Sequence, residues 1–395
     1  MSTAGWILLL LSVGVFLYAY GVYPLAVGVL GRLRNYPLPA GHPSEWPELT
    51  IVLPVYNEER ALGGALETLL ALDYPPHRRH ILVVSDASTD RSDEIAGRYA
   101  SRGVTLLRLP RRSGKTAAEN AAASMLRGEL VVGTDATTRI LPASLKALVR
   151  VFTDSRIGLA SGNNVSVGSR ELETGMPGRL PGASGESAYV GYEMGLRRLE
   201  TRMGSIVGAS GCFYATRRSL YDPGFPPGLS RDFAAALQAA EQGYRAVLVP
   251  DAVCLVPRAG SLRVEFRRKV RTMTRGLATL WSFRRMMNPI RHPLVAFMLF
   301  GHKLARWVAI LTAPLLVAGL SLLVPHWGPA RWALAILLLA TLLGLLSFAW
   351  PDHRRPPLPL AQFGYLVGSV LAGLLAWVGA LQGRSQPIWE PTRRD

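Results

Sequence analysis

The chain has long apolar segments at both ends and a middle region in which short apolar runs alternate with polar stretches. Residues 5–30 carry no charged side chain, which is enough for a helix to cross a bilayer. The segment is too long for the apolar core of a signal peptide, and no basic residue precedes it. Because Arg32 and Arg34 follow directly, we expect residues 1–34 to form an anchor with an external N-terminus and a cytoplasmic domain after it.

The C-terminal region, residues 304–382, contains further apolar segments of membrane-spanning length. Pro-rich turn signals at residues 325–329 and 351–357 separate them. Tryptophans lie near their ends, as is typical of residues at a membrane interface. The pattern predicts about three more spans, at Ala305–Val324, Ala333–Trp350 and Leu360–Leu381.

The segments on either side of these spans are basic. Residues 256–303 are dense in Arg with apolar residues interleaved, which predicts a helix on the inner membrane surface. Four spans with an external N-terminus would put the tail, residues 383–395, outside the cell. Its basic residues Arg384, Arg393 and Arg394 favour the inside, so the side of the tail stays open.

Residues 48–255 read as a separate α/β domain. The runs LTIVLPVY, HILVVSD, VTLLRLP and ELVVGTD have no polar face, which predicts strands buried on both sides. Helices are predicted between them, at Glu59–Leu72, Arg91–Arg102, Thr116–Met125 and from Pro142 onward. The alternation predicts a Rossmann-type domain with a mostly parallel sheet. The Gly- and Pro-rich residues 170–187 predict a mobile surface loop.

The net charge of +17 raises the question of a nucleic-acid partner. Only four of the basic residues are Lys and forty are Arg. Such a preference for Arg over Lys often reflects the base composition of the genome and not a function of the protein. The excess is concentrated near predicted membrane boundaries, where it would meet anionic lipid head groups. Zinc-finger spacing, helix-turn-helix signals and RNA-binding aromatic strands are absent from the sequence. We therefore expect contact with membrane lipids and no nucleic acid. The two cysteines, Cys212 and Cys254, are predicted to be separate buried thiols.

Two of the predicted strands end on an aspartate, Asp86 in VVSDASTD and Asp135 in VVGTDATT. Open α/β sheets place ligand-binding groups at the carboxyl ends of their strands. Two carboxylates in one crevice can hold a divalent cation and, through it, a diphosphate. Each Asp could instead simply cap the helix that follows it. Their joint occurrence favours a ligand site.

Six motifs in order resemble those of the family 2 glycosyltransferases, and the membrane-embedded branch with cellulose, chitin and hyaluronan synthases is the closer match. The motifs are TIVLPVYNEE, VVSDASTD, RSGKTAAENAA, VVGTDATT, GASGCFYATRRSLY and SRDFAAALQAAEQGYRAVLVPDA. The similarity continues through RRKVRTMTRG, GHKLARW and WEPTRR, and so covers nearly the whole chain after residue 48. It implies a GT-A-like nucleotide-diphospho-sugar transferase domain flanked by transmembrane helices.

The resemblance also implies roles for the residues that bind a nucleotide-sugar donor. Tyr56 and Glu58 would lie in the nucleotide site, with Tyr56 beside the base and Asp86 accepting a hydrogen bond from it. Lys115 would contact the nucleotide. Tyr56 could alternatively be a packing residue, and Lys115 a solvated loop lysine.

Asp135 resembles the first Asp of the metal-binding DxD pattern, where it would hold Mg or Mn on the diphosphate. In this sequence the second carboxylate is replaced by Thr137. Metal binding would then depend on one Asp together with phosphates and water, an ordinary ligand set for Mg.

By the same resemblance, Asp232 is the general base that takes the proton from the acceptor hydroxyl. It could alternatively cap a helix. The family usually has an acidic residue before it, whereas this chain has Arg231. The arginine would either stabilise the charged form of Asp232 and weaken it as a base, or point away toward phosphate or membrane. One base without a second carboxylate nucleophile fits a single inverting displacement.

Arg268 and Arg271 resemble the basic part of the family's QxxRW signature and would pair with the departing diphosphate. They could alternatively form a membrane-surface face. The Trp of the signature is Thr272 here, and the Gln is absent. Since that Trp stacks on the acceptor sugar in processive enzymes, processivity stays open.

The resulting hypothesis is a membrane-bound inverting glycosyltransferase in the inner or plasma membrane that uses a UDP-sugar on the cytoplasmic face. The acceptor would be a glycan or a lipid-linked sugar. Two alternatives stay open, namely transfer to a polyprenyl phosphate and an inactive membrane scaffold or nucleotide sensor of the same fold. The sequence does not indicate the sugar or the oligomeric state.

Overall fold

The computed structural model describes residues 2–168, 171–172, 185–222, 224–258, 261–351, 356–384 and 388. Most of the predicted loop at residues 170–187 lies outside these residues, as does the part of the tail that holds Arg393 and Arg394.

Eight strands form one sheet at the centre of the domain, in the order β3-β2-β1-β4-β7-β6-β8-β5. They are β1 (Leu49–Val55), β2 (Arg79–Ser85), β3 (Val104–Arg108), β4 (Leu130–Thr134), β5 (Arg139–Ile140), β6 (Ile157–Val167), β7 (Phe213–Arg217) and β8 (Arg245–Pro257). The pairings among β3, β2, β1 and β4 are parallel, as is that of β6 with β8. β7 and β5 pair antiparallel with their neighbours. The predicted α/β fold with a mostly parallel sheet is confirmed, and β1 to β4 are the four apolar runs.

Among the described residues, seven α-helices accompany the sheet. They are α1 (Leu62–Leu70), α2 (Ser92–Arg98), α3 (Lys115–Ala121), α4 (Ser144–Arg150), α5 (Gly185–Met203), α6 (Arg231–Glu241) and α7 (Leu262–Ser282). The first of them is shorter than the predicted Glu59–Leu72. The Glu59 amide donates to Asp90 Oδ2 at 3.0 Å in the loop after β2, and this bond keeps the first residues after β1 out of the helix.

The core lies on both faces of the sheet, as continuous apolar strands require. All seven residues of β1 are buried. On α6, four alanines are buried, and their small side chains let this helix pack closely: Ala234, Ala235, Ala236 and Ala239. Cys212 and Cys254 form no disulfide with each other; Cys254 is buried as expected, whereas Cys212 is half-buried.

Four helices in the described part of the chain are long and apolar enough to cross a membrane. They are numbered here as the first to fourth membrane helices: Thr3–Arg34, Pro293–Leu323, Gly328–Phe348 and Leu358–Leu381. The second begins well before the predicted Ala305, because it continues through a π turn at Leu299–Leu304. The first contains a π turn at Tyr18–Val22. The charges at residues 302–306 therefore lie within a helix and do not mark its end.

The first two membrane helices pack closely against each other. A β-carbon on Gly319 would lie 2.9 Å from the Leu9 nitrogen, so only glycine permits this approach. Ser12 donates a hydrogen bond to the Thr312 carbonyl at 3.2 Å across the same contact. Helix α5 packs on the first membrane helix and α7 on the fourth, which docks the α/β domain onto the membrane helices.

Candidate active site

The carboxyl ends of three strands bring the predicted donor residues to one edge of the sheet. β1 runs parallel to β2 and β4, with Val55 opposite Ser85 and Val52 opposite Gly133. Tyr56, Asp86 and Asp135 therefore follow neighbouring strands at the same edge.

β7 starts at this edge because it runs antiparallel to β4. Thr134 lies opposite Phe213, and the Thr134 hydroxyl donates to the Cys212 carbonyl at 2.9 Å. The GASG segment, residues 208–211, is thereby brought beside Asp135.

Asp86 is buried, at 1% exposure, and holds the loop before α3 in place. Its two carboxylate oxygens accept hydrogen bonds from the Ser113 amide at 2.7 Å and the Gly114 amide at 2.8 Å. Gly114 has φ of +92°, which favours glycine and turns the chain into α3. Asp90 accepts from the Ser92 amide at 2.9 Å and so performs the capping proposed as an alternative for Asp86. Asp86 thus positions Lys115 at the start of α3.

The Tyr56 ring is half-buried and is stacked by a residue that the sequence reasoning missed. The Arg112 guanidinium carbon lies 3.8 Å from the centre of the Tyr56 ring, within cation–π range. Neighbouring Glu58 is buried, and its amide donates to Ser92 Oγ at 2.9 Å. Arg112 is the first residue of the RSGK motif, two residues before Gly114, and that position was the available signal for it.

Lys115 connects the two sides of the site. Its ammonium donates to Asp135 Oδ1 at 2.5 Å and to the Gly211 carbonyl at 3.1 Å. Burial alone would lower the pKa of Lys115, but the carboxylates of Asp135 and Glu119 outweigh it and raise the pKa above its ordinary value. Lys115 is therefore a charged, partly buried contact and not a solvated loop lysine.

Glu119, which the sequence reasoning did not single out, lies one turn after Lys115. It is 3% exposed, and its Oε2 has no hydrogen-bond partner among the described residues. Burial raises the pKa of Glu119, while the charges of Lys115 and Arg231 lower it in part. The residue adds negative potential beneath Lys115.

Asp232 lies at the start of α6 and faces the same glycine. The Ser230 hydroxyl donates to Asp232 Oδ1 at 2.7 Å, and Oδ2 lies 3.2 Å from the position that a β-carbon would take on Gly211. The Ala209 amide donates to the Asp232 backbone carbonyl at 3.2 Å. Asp232 and Lys115 thus approach Gly211 together, and Asp135 joins them through Lys115.

Arg231 takes neither of the positions considered from the sequence. Its guanidinium donates to Asn120 Oδ1 and to the Tyr221 carbonyl, and it stacks on the Tyr221 ring at 3.8 Å. The side chain is buried, so it points neither to solvent nor to the membrane surface. Among the described residues Arg231 forms no ion pair with Asp232.

Helix α7 carries the two predicted diphosphate ligands, Arg268 and Arg271, and a third arginine. Arg268 forms ion pairs with Glu265 at 2.7 Å and Glu186 at 3.0 Å, and Arg271 is half-buried one turn later. Arg275, which the sequence reasoning missed, donates to the Thr116 hydroxyl at 2.5 Å and to the Leu229 carbonyl. Burial lowers its pKa, and the carboxylates of Asp232 and Glu119 oppose that shift. Its position four residues after Arg271, on the same helix face, was the signal for it.

Within the described ranges, no group of three His, Cys, Asp or Glu side chains could hold a metal ion by itself. The donor set nevertheless fits a cation shared with a diphosphate. Asp135 offers a carboxylate at the strand end that is 25% exposed, and hard divalent cations accept phosphate and water oxygens as their other ligands.

The α/β domain that carries this edge has a GT-A-like fold. Residues 50–225 match the sequence profile of the family described as glycosyl transferase family 2. This match confirms the resemblance to the family.

Two relatives and one solved structure show how far the similarity extends. A dodecaprenyl-phosphate galacturonate synthase of Rhizobium johnstonii is 31% identical over 29% of this chain and 35% of its own. An N-acetylglucosaminyltransferase of Mesorhizobium japonicum is 26% identical over 59% of this chain and 56% of its own. A mannosyltransferase of Pyrobaculum calidifontis, in complex with GDP-Man and Mn2+, has a TM-score of 0.70 at 23% identity and covers 96% of this chain and 100% of that chain.

This chain therefore spans about half or less of the length of these curated relatives. The solved mannosyltransferase shares the fold along nearly the full chain, including the region of the membrane helices.

Proposed function

We propose that the protein is a membrane-bound inverting glycosyltransferase, with Asp232 as the general base. It would move a sugar from a nucleotide-diphosphate sugar to a glycan or lipid-linked acceptor. The observation that carries this proposal is the convergence of Lys115 and Asp232 on Gly211, with Asp135 paired to Lys115. A donor diphosphate beside the lysine would put its sugar next to the carboxylate.

On the donor side, Tyr56, Glu58 and Asp86 would form the nucleotide end of the site. The Arg112–Tyr56 stack provides a flat cationic surface suited to a nucleobase or phosphate. Asp86 already accepts two backbone hydrogen bonds, so its contribution to base binding would include holding the 113–115 loop against the nucleotide. We propose a UDP-sugar as the donor.

The diphosphate would lie between Lys115 and Asp135, with Asp135 and the phosphates holding Mg or Mn. A bound divalent cation neutralises the negative charge that builds on the departing nucleotide diphosphate. The Lys115 ammonium, which now contacts Asp135 alone of the two anions, would then contact the diphosphate as well. Arg271 and Arg275 are better placed than Arg268 to bind the diphosphate, because the Arg268 guanidinium forms ion pairs with Glu265 and Glu186.

In the transfer step, Asp232 would take the proton from the acceptor hydroxyl. The acceptor oxygen forms a bond to the anomeric carbon as the bond from that carbon to the diphosphate breaks. Ser230 orients the carboxylate by its hydrogen bond to Oδ1, which leaves Oδ2 facing Gly211. One displacement of this kind inverts the anomeric centre.

We further propose that the four membrane helices make the protein multi-pass in the inner or plasma membrane. Arg32 and Arg34 at the end of the first membrane helix support a cytoplasmic catalytic domain. The exposed Trp281 and Ile290, near the end of α7 and after it, are suited to contact lipid at the same surface.

A screen of radiolabelled UDP- and GDP-sugars with purified protein, Mg or Mn and membrane lipid extract tests the proposal. Label should enter a lipid or glycan product with the parent chain and not with Asp232→Asn, while the variant keeps its affinity for the nucleotide. Full transfer by Asp232→Asn would exclude this base. Nucleotide binding without any hydrolysis or transfer would favour the scaffold or sensor alternative.

A further inference from the structure

The second membrane helix places a lysine behind the candidate active site. The Lys303 ammonium lies 5.4 Å from the centre of the Phe233 ring and 3.5 Å from the position that a β-carbon would take on Gly208. Phe233 follows the proposed base, and Gly208 begins the segment that ends at Gly211. Lys303 therefore connects the second membrane helix to the two segments that hold Gly211 and Asp232.

The donors of this ammonium are available to a ligand. Across the described residues Lys303 makes no hydrogen bond, and its ammonium lies 3.7 Å from Glu193 Oε1. The side chain is 14% exposed, so it is largely desolvated and yet reachable. Because an ammonium has three donors and is costly to desolvate without acceptors, the position suits an anionic group.

The charges around Lys303 also favour an anion. Glu193 is already bound by Arg306 at 2.8 Å and Arg197 at 2.9 Å, and it contacts a ring nitrogen of His302 at 2.9 Å. Glu200 contacts the other ring nitrogen of His302 at 2.6 Å. This buried cluster thus contains three full cations, Arg197, Lys303 and Arg306, against the carboxylates Glu193 and Glu200. The excess positive charge is concentrated on the side chain that lacks a close partner.

An apolar groove begins on the same turn of the helix. A cavity of about 580 Å³ lies between the first and second membrane helices, and its lining includes Gly14, Tyr18, Phe300 and Leu304. Leu304 is the residue after Lys303. One face of this turn is therefore cationic and toward the catalytic domain, and the neighbouring face is apolar and within the membrane.

We propose that Lys303 binds the phosphate of a single-chain lipid phosphate of the polyprenyl type, with the hydrocarbon chain in the groove. This inference rests on the proposed function and names its acceptor class. A neutral glycan would use neither the ammonium nor the groove, whereas a lipid phosphate uses both. In the transfer, a phosphate oxygen would bond to the anomeric carbon as the donor diphosphate leaves, and any proton on that oxygen would pass to Asp232.

Native mass spectrometry of the detergent-purified full chain with undecaprenyl phosphate, without any donor, tests the binding. We expect Lys303→Gln to weaken binding about tenfold or more, as expected for loss of a charge-assisted contact, and Lys303→Arg to retain most of it. Lys146→Gln is the control, because Lys146 pairs with Asp73 on the surface of the domain. A thermal unfolding scan verifies that each variant is folded.

The groove has its own matched pair of variants. A β-carbon would meet nothing within 4 Å at Gly14, which lines the groove, or at Gly21, which lies on the same helix. Gly14→Leu fills the groove and should weaken binding of undecaprenyl phosphate, whereas Gly21→Leu should not.

Two comparisons identify the chemistry of the ligand. Undecaprenol, which lacks the phosphate, should bind weakly and equally to the parent chain and Lys303→Gln. Neither inorganic phosphate nor phosphatidylglycerol at equal concentration should displace undecaprenyl phosphate.

Three results would overturn this inference: unchanged binding of undecaprenyl phosphate by Lys303→Gln, binding of undecaprenol to the parent chain as tight as that of undecaprenyl phosphate, or ready displacement by phosphatidylglycerol. Since no donor is present, these results are independent of catalysis. Bound lipid phosphate with no transfer from any nucleotide sugar would instead overturn the proposed function and leave the binding site standing.

Discussion

The Lys115 ammonium and the Asp135 carboxylate form an ion pair, with 2.5 Å between Nζ and Oδ1. The lysine thus takes the carboxylate that a divalent cation would use. Two cations cannot share one carboxylate oxygen without strong repulsion. We therefore expect the metal and the nucleotide diphosphate to bind together, since the diphosphate gives Lys115 another anion to contact.

Replacing Lys115 should separate the binding of metal from that of nucleotide. Lys115→Met removes the competing charge, so Mn2+ alone should bind more tightly, as measured by its paramagnetic resonance signal. The same variant loses a charge-assisted contact to the diphosphate, so affinity for UDP or GDP should fall about tenfold to a hundredfold by calorimetry. Lys146→Met on the surface should change neither. Unchanged Mn2+ affinity would show that the ion pair does not limit metal binding.

Asp86 can be tested as a loop anchor against its predicted role in reading the base. Asp86→Asn turns one of its two acceptors into a donor that faces a backbone amide, which should release the Ser113–Lys115 loop. Affinity for UDP and GDP should then fall by similar factors, on the order of tenfold. A change in the ratio of the two affinities would instead indicate direct contact with the base.

Ser230 should act by orienting the base. Ser230→Ala removes the hydrogen bond to Asp232 Oδ1 while keeping the carboxylate, so the turnover number should fall about fivefold to tenfold. KM for the donor and nucleotide affinity should stay unchanged, because Ser230 contacts neither in this arrangement. Ser230→Thr retains the hydroxyl and should restore most of the rate. A defect confined to nucleotide binding would contradict this role.

Replacing Arg231 with an acidic residue should destabilise the folded protein. In Arg231→Asp a carboxylate would face Asn120 Oδ1 and the Tyr221 carbonyl, two acceptors that now receive hydrogen bonds from the guanidinium. We expect a loss of about 3–5 kcal/mol in the free energy of unfolding, measured by chemical denaturation in detergent. Arg198→Asp, on the exposed side of α5, is the control and should cost far less. Wild-type stability in Arg231→Asp would mean that the buried contacts of Arg231 are dispensable.

Glu119 should make stability depend on pH. Burial raises its pKa above the ordinary value of about 4.5, so the folded chain retains this proton to higher pH than the unfolded chain. Its contribution to stability is therefore full below pH of about 4.5 and is lost as pH rises through the folded value. Glu119→Gln should remove that loss and stabilise the protein at neutral pH by on the order of 1 kcal/mol. Unfolding scans across this pH range measure the effect, and Glu94→Gln, at an exposed position, is the control. The same dependence of stability on pH in Glu119→Gln as in the parent chain would contradict the prediction.

Much of the catalytic domain could be predicted because its signals are local. A strand buried on both faces must be apolar along its whole length, and β1 to β4 are such runs. Asp86 and Asp135 follow two of these strands, so their common edge followed from parallel pairing alone. The match to glycosyl transferase family 2 was likewise predictable from short motifs in order.

Long-range contacts set the remaining features, and local sequence does not encode them. The direction of Arg231 depends on Tyr221, which lies 10 residues before it, and on Asn120, which lies 111 residues before it. The start of the second membrane helix was predicted too late because His302, Lys303 and Arg306 resemble charges at a membrane boundary. They lie inside a helix because Glu193 and Glu200 of α5 accept them.

The paired π turns, at Tyr18–Val22 and Leu299–Leu304, make the membrane helices sensitive to the loss of a single residue. Each π turn holds one more residue than an α turn and so rotates everything after it by about 100°. In the second membrane helix this rotation lets His302 meet α5 while Leu304 lines the groove. A one-residue deletion there would keep the hydrophobic length of the span yet swing Arg306 toward lipid. Insertion into the membrane would succeed, and assembly with the catalytic domain would fail.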